Sequence, residues 1–149
     1  MRIPCIYQML ICALLSCAVA PSFAENLPIK RIVSVYDGDT IKVDFDFTGP
    51  AIFNRNVSIR ILGIDTPEIR GQCEEEKALA QKAKHWLETK LAHARTVELH
   101  DAGRDKYFRV LGNLVIDGES VSEQLIAQGL ARPYDGGHKT PWCEVKNSH

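Results

Sequence analysis

An α+β domain built around a small β-barrel is the fold class this sequence predicts, and three observations predict it. Three β-rich stretches follow one another over residues 29–64 with turn signals between them. One long helical period then runs over residues 73–93. Two further strands and a short capped helix follow, to residue 129. The 149 residues are 45% hydrophobic and 25% charged, enough apolar material for one core. No repeat, linker or low-complexity tract divides the chain, so a single domain over residues 25–149 is expected.

The first strand, 29–36, carries Ile29, Val33 and Val35. Asp37-Gly38 signals a hairpin turn, and 40–47 alternates Ile41, Val43, Phe45 and Phe47 against Lys42, Asp44 and Asp46. Gly49-Pro50 ends that strand and a loop leads to the third, 57–64, with Ile59 and Ile61 on one side and Arg60, Leu62 and Ile64 on the other. Leu79, Ala83, Trp86, Leu87 and Leu91 mark one face of the helix over 73–93. Glu74, Glu75 and Glu76 lie in its first turn, where capping and the macrodipole explain them. A short strand over 96–100, a polar loop over 101–108 and a strand over 109–116 come next. Asp117-Gly118 turns the chain, Ser120 and Glu123 form a capping box, and Gly129 closes the last helix. Residues 130–134 read as extended and the tail from 135 as loop.

Residues 1–24 differ from the rest. Arg2 is their one charge, and an apolar run over 9–20 leads to small residues, the pattern of a secretory signal peptide. Cleavage after Ala24 is favoured over Ala20, which would leave Pro21 at the new N-terminus. The run is short for a membrane span, so no stable span is expected. Export to a periplasm or the medium follows, with a lipid anchor at Cys17, in Leu14-Leu15-Ser16-Cys17, as the alternative. Loss of Arg2 leaves 17 of 18 Lys and Arg against 19 Asp and Glu, a net charge of −2 with His neutral. Such a chain cannot hold a polyanion by bulk charge and needs local cations or a metal. The mature chain keeps two of five cysteines, Cys73 and Cys143. In an oxidising compartment a disulfide is the natural reading, beside two buried thiols or a metal pair.

The chemistry gathers at strand ends. Arg60-Ile61-Leu62-Gly63-Ile64-Asp65-Thr66-Pro67-Glu68 begins as a strand and breaks at Pro67, which lacks an N–H and bars Thr66 from the helical region. Asp37, Asp39, Asp65 and Glu68 offer oxygen ligands that suit a hard cation. Arg60 and Arg109 present forks matched to phosphate, although two surface ion pairs would explain them equally well. Asp44 and Asp46 are adequately explained as a solvated face.

Asp37-Gly38-Asp39-Thr40, the stretch from Arg60 to Glu68, and Asp105-Lys106-Tyr107-Phe108-Arg109 together resemble the three motif blocks of the staphylococcal nuclease family, in the family's order and internal spacing. The segment 113–131 is also similar. The resemblance implies a five-stranded OB-type barrel with one long and one short helix. It implies Ca²⁺-dependent cleavage of DNA and RNA, single-stranded or denatured substrate being favoured, at the 5′ P–O bond to leave 3′-phosphate ends, by a monomer. Carried over by position, Asp39, Asp65 and the Thr66 backbone oxygen would bind Ca²⁺. Glu68 would be the general base, Arg60 and Arg109 would grip the phosphate, and Tyr107 would line the nucleotide site. Phe108 stands where the family usually has glycine, and the chain stops soon after Trp142-Cys143, without the long C-terminal helix of the best-known member. A non-catalytic barrel that binds single strands is the alternative.

Overall fold

The computed structural model describes residues 26–105 and 109–143. The expected signal peptide, Cys17, Tyr107 and Phe108 lie outside them.

Alternating β-formers make β1 (Leu27–Val35) and β2 (Thr40–Phe45) an antiparallel hairpin, with Ile32 opposite Val43. A single turn of helix, α1 (Ala51–Asn54), interrupts the expected loop. Pro50 stands just before it with a fixed φ of −58°, and the Asn54 amide donates to the Phe47 carbonyl at 2.7 Å. β3 (Val57–Ile61) pairs antiparallel with β2, Ile41 opposite Ile59.

Here the expected strand stops early. Gly63 takes φ +82°, a left-handed value that turns the chain. β4 (Ile64–Asp65) restarts beyond it. The turn breaks the predicted alternation, so Leu62 is exposed and Ile64 enters the core instead of sharing a side with Arg60.

α2 (Glu74–Ala92) and β5 (Val97–Arg104) follow. β5 runs four residues into the stretch expected to be loop. Its register shifts between His100 and Gly103, with Asp101 at φ +51° and accepting the Asn113 amide at 2.8 Å. This bulge absorbs the polar residues and lets pairing with β6 (Val110–Ile116) resume at Gly103. β7 (Glu119–Ser120) leads into α3 (Val121–Ala127), whose Ser120 hydroxyl accepts the Glu123 N–H at 3.4 Å. β8 (Arg132–Pro133) pairs with β4, Asp65 opposite Arg132.

The strand order β3-β2-β1-β5-β6 closes on itself through a parallel β3–β6 seam, with Arg60 opposite Leu111. The result is a closed five-stranded barrel. Ile41, Val43, Ile59, Ile61, Leu99 and Leu114 fill it, and Leu87 of α2 with Val121 and Leu125 of α3 extend the same core. The inner face of α2 is Glu76, Ala80, Ala83 and Leu87. Leu79, Trp86 and Leu91, expected there, are only partly buried, because small residues let the helix lie closest to the barrel. Asp44 is no solvated residue either. It is 3% exposed and accepts both the Asn56 N–H at 2.8 Å and Arg31 Nη2 at 2.6 Å. Among the described residues no helix is long and apolar enough to cross a membrane.

Candidate active site

Arg60 is held rigidly, since β3 bonds to β2 on one side and β6 on the other. Its guanidinium points at the turn between β1 and β2. There Nη1 pairs with Asp39, while Nη2 donates to the Ile64 carbonyl at 3.1 Å and lies 3.7 Å from Asp65 Oδ1. Gly38 in that turn is demanded by space: a Cβ would stand 2.8 Å from Ala83 Cβ and 2.9 Å from Thr66 Cγ2. The close approach lets Thr66 donate to Asp39 Oδ2 through both its N–H (3.0 Å) and its hydroxyl (2.8 Å). Thr40 Oγ1 donates to Asp39 Oδ1, and the Asp39 N–H to Asp37 Oδ1, both at 3.0 Å. Four donor groups from three residues, Thr40, Arg60 and Thr66, thus meet on the Asp39 carboxylate.

Asp37, Asp39 and Asp65 are 4–6% exposed around a guanidinium that is 9% exposed. Three buried carboxylates face one buried cation, an excess of negative charge that favours a further cation. Burial pushes the Asp37 carboxyl above its usual range, with Arg60 opposing. Burial lowers Arg60, Asp37 and Asp65 counter that effect, and Arg109 adds to it. Arg109 therefore stands close enough for Arg60 to feel its charge. It is anchored at the mouth of β6, its N–H and Nε donating to Asp105 at 2.9 and 2.7 Å.

Glu68 is half-exposed at the rim. Its N–H donates to Glu76 Oε1 at 3.3 Å, and the Gln72 N–H donates to Oε2 at 2.9 Å. Glu76 is 6% exposed. Rather than serving only the helix dipole, it ties the loop bearing Glu68 to α2. Cys73 and Cys143 are joined, Cα to Cα 5.9 Å apart. The cross-link spans 70 positions in sequence, and in the chain-entropy model closing such a loop contributes about 4 kcal/mol. The Glu76 carboxylate and the two sulfurs form the one trio of such ligand atoms found within 4.8 Å among the described residues. Its sulfurs are bonded to each other, so it holds no thiolate for a metal.

The sequence reading missed what the C-terminal segment adds. Lys139 Nζ sits 2.7 Å from Asp65 Oδ1 and 3.1 Å from Glu68 Oε1. Trp142 Nε1 donates to Asp65 Oδ2 at 3.1 Å. Arg132 lies over the Trp142 ring at 3.9 Å and donates to the Pro141 carbonyl at 3.0 Å. Burial pulls the Lys139 ammonium down, yet its bonds to Asp65 and Glu68 outweigh this and hold it above the ordinary value. No local pattern in a loop of mixed residues signals such partners.

The sequence model described as "Staphylococcal nuclease homologue" matches residues 58–144, more than half of the 149. The chain belongs to the staphylococcal nuclease family. Proteins similar to it include an uncharacterized endonuclease of Haemophilus influenzae, 29% identical over 104 residues that span 70% of this chain and 51% of that protein. Endonuclease YncB of Bacillus subtilis is 33% identical over 110 residues, 72% of this chain and 47% of its own length. The thermonuclease of Staphylococcus hyicus is 28% identical over 108 residues, 72% and 60% respectively. The chain thus covers about half the length of these relatives. The family match begins after Asp37 and Asp39, and it is the fold that brings these residues to Arg60 and Asp65.

Proposed function

We propose that this chain is an exported nuclease that hydrolyses phosphodiester bonds of DNA and RNA in a calcium-dependent reaction. The observation that carries the reading is the buried cluster of Asp39, Arg60, Asp65 and Thr66, with Glu68 at its rim and Arg109 within electrostatic reach. The names of its relatives, endonuclease and thermonuclease, point the same way.

The donor set is all oxygen and carries excess negative charge, which fits a hard divalent cation. Asp39, Asp65 and the Thr66 carbonyl would hold Ca²⁺. When bound, the ion supplies charge neutralisation at the phosphate and eases ionisation of a nearby water. The chain's own residues do the rest. Arg60 and Arg109 bind the non-bridging phosphate oxygens and stabilise the charge that grows on them in the transition state. Glu68, exposed at the rim, accepts the proton of the attacking water. The 5′ P–O bond breaks, the departing 5′ oxygen takes a proton from solvent and leaves as a hydroxyl, and a 3′-phosphate remains, as the family resemblance implies. A net charge of −2 after loss of the leader gives no basic surface to gather substrate, so capture depends on this local cluster and is weakened by salt.

Glu68→Gln and Arg109→Ala should each lower turnover of denatured DNA with Ca²⁺ by ~10²–10⁴ while circular dichroism stays native. Unchanged turnover in either variant refutes its assignment. A wild-type protein that retains denatured DNA on a filter but never cuts it would establish the non-catalytic barrel instead.

A further inference from the structure

The segment that follows β8 is fastened at both ends over the site just described. At one end β8 pairs with β4, the strand that carries Asp65. At the other, Cys143 is cross-linked to Cys73 at the start of α2. Between them Trp142 bonds one oxygen of Asp65 and Lys139 the other, and Lys139 also reaches Glu68. The Lys139 side chain is 47% exposed while Asp65 is 6% exposed, so the charge on the tail has been brought to a buried carboxylate from the solvent side.

We propose that Lys139 is a tethered competitor for the metal ion, held in place by the Cys73–Cys143 cross-link. This rests on the calcium reading above. The ammonium bridges Asp65 and Glu68 and offsets one of their two charges while no divalent ion is bound, and it must leave Asp65 before the ion takes that oxygen. The cross-link four residues away keeps the ammonium at high effective concentration, which makes displacement harder than it would be for a free tail. The tail therefore sets how much calcium the protein needs. With the cross-link broken the tail is released, and the same site fills at lower calcium. Trp142 keeps its bond to the second oxygen of Asp65 and so holds that carboxylate in one orientation through the exchange.

The test is calcium titration by calorimetry on the wild-type protein, on Lys139→Ala, on Lys139→Arg and on the Cys73→Ser/Cys143→Ser double variant, with cleavage of denatured DNA followed in parallel. Lys139→Ala and the double variant should bind calcium about tenfold more tightly, the scale of one charge-assisted contact partly screened by water. Lys139→Arg, which keeps the charge, should stay within about twofold of wild type. Equal or weaker binding in Lys139→Ala overturns the competition, and that residue is exposed enough for its variant to fold. Tighter binding in Lys139→Ala but not in the double variant overturns the role of the cross-link. Wild-type protein that cuts DNA with calcium, beside a Lys139→Ala variant of unchanged affinity, removes this inference and leaves the nuclease reading standing. Protein that neither binds calcium nor cuts removes both.

Discussion

Glu76→Ala tests how the loop bearing Glu68 is held. The carboxylate accepts the Gln72 N–H at 2.9 Å and the Glu68 N–H at 3.3 Å, and it is buried. A hydrogen bond to a charged group contributes about 1.5–3 kcal/mol. The shorter bond is lost in full, whereas water can partly replace the longer one at the half-exposed Glu68. The expected loss is therefore ~2–4 kcal/mol, or ~8–16 °C in Tm for a domain of this size. Gly71 supplies a second handle, because a Cβ there would lie 2.5 Å from Glu76 Cδ and 2.6 Å from Oε2. Gly71→Ala alone should cost ~1–3 kcal/mol by overpacking. In the double variant that collision has no partner, so the cost should fall short of the sum by about 1–2 kcal/mol. Urea denaturation of the four proteins with chelator present measures this. A single-variant loss under ~0.5 kcal/mol, or strictly additive costs, would falsify the claim that Glu76 is the loop's anchor.

Arg60→Met leaves three buried carboxylates without their guanidinium, and should destabilise the metal-free protein by ~3–5 kcal/mol as well as abolish cleavage; a stable variant in thermal melts with chelator would show that Arg60 serves catalysis alone. Two aspartates should shift acid stability in opposite directions. Asp37 is raised above the ordinary 3.8, so its stabilising contribution is present below that pH and lost as the pH rises through its folded value. Asp37→Asn should accordingly flatten the decline in metal-free melts above pH 4. Asp44 is lowered, chiefly by the Asn56 N–H and then by Arg31. Its contribution is present above 3.8 and lost as the pH falls through its lowered value, so Asp44→Asn should weaken the protein at pH 7 and narrow the gap to wild type below pH 3.

What the sequence made legible was local. Asp37-Gly38 marks the hairpin, Ile59 and Ile61 the core face of β3, and Ser120 the start of α3, because each is written in neighbouring residues. Gly63 reads as a strand residue in the sequence, since a glycine inside a β pattern does not announce a positive φ. Asp44 looked solvated because the Asn56 N–H that buries it comes from beyond an unexpected turn of helix. Chemistry and resemblance group Asp39, Arg60 and Asp65, and the barrel brings them together. Nothing in the neighbouring residues marks Lys139 and Trp142 as parts of the site. Their partner, Asp65, is more than seventy positions away, and a lysine and a tryptophan in a loop carry no period that would point to it.

The seam between β3 and β6 decides when the barrel around the acidic cluster closes. Ile59 has its neighbour Ile41 soon after it is made, but the other edge of β3 waits for Val110, Leu111 and Gly112. Contacts so distant along the chain are slow to form. Until they do, Arg60 sits on an open strand edge and its carboxylates are not gathered around it. A chain that has formed only the strands before β6 therefore lacks the closed seam that frames this cluster. Under the nuclease reading proposed above, the chemistry waits for the last strand of the barrel to close against β3.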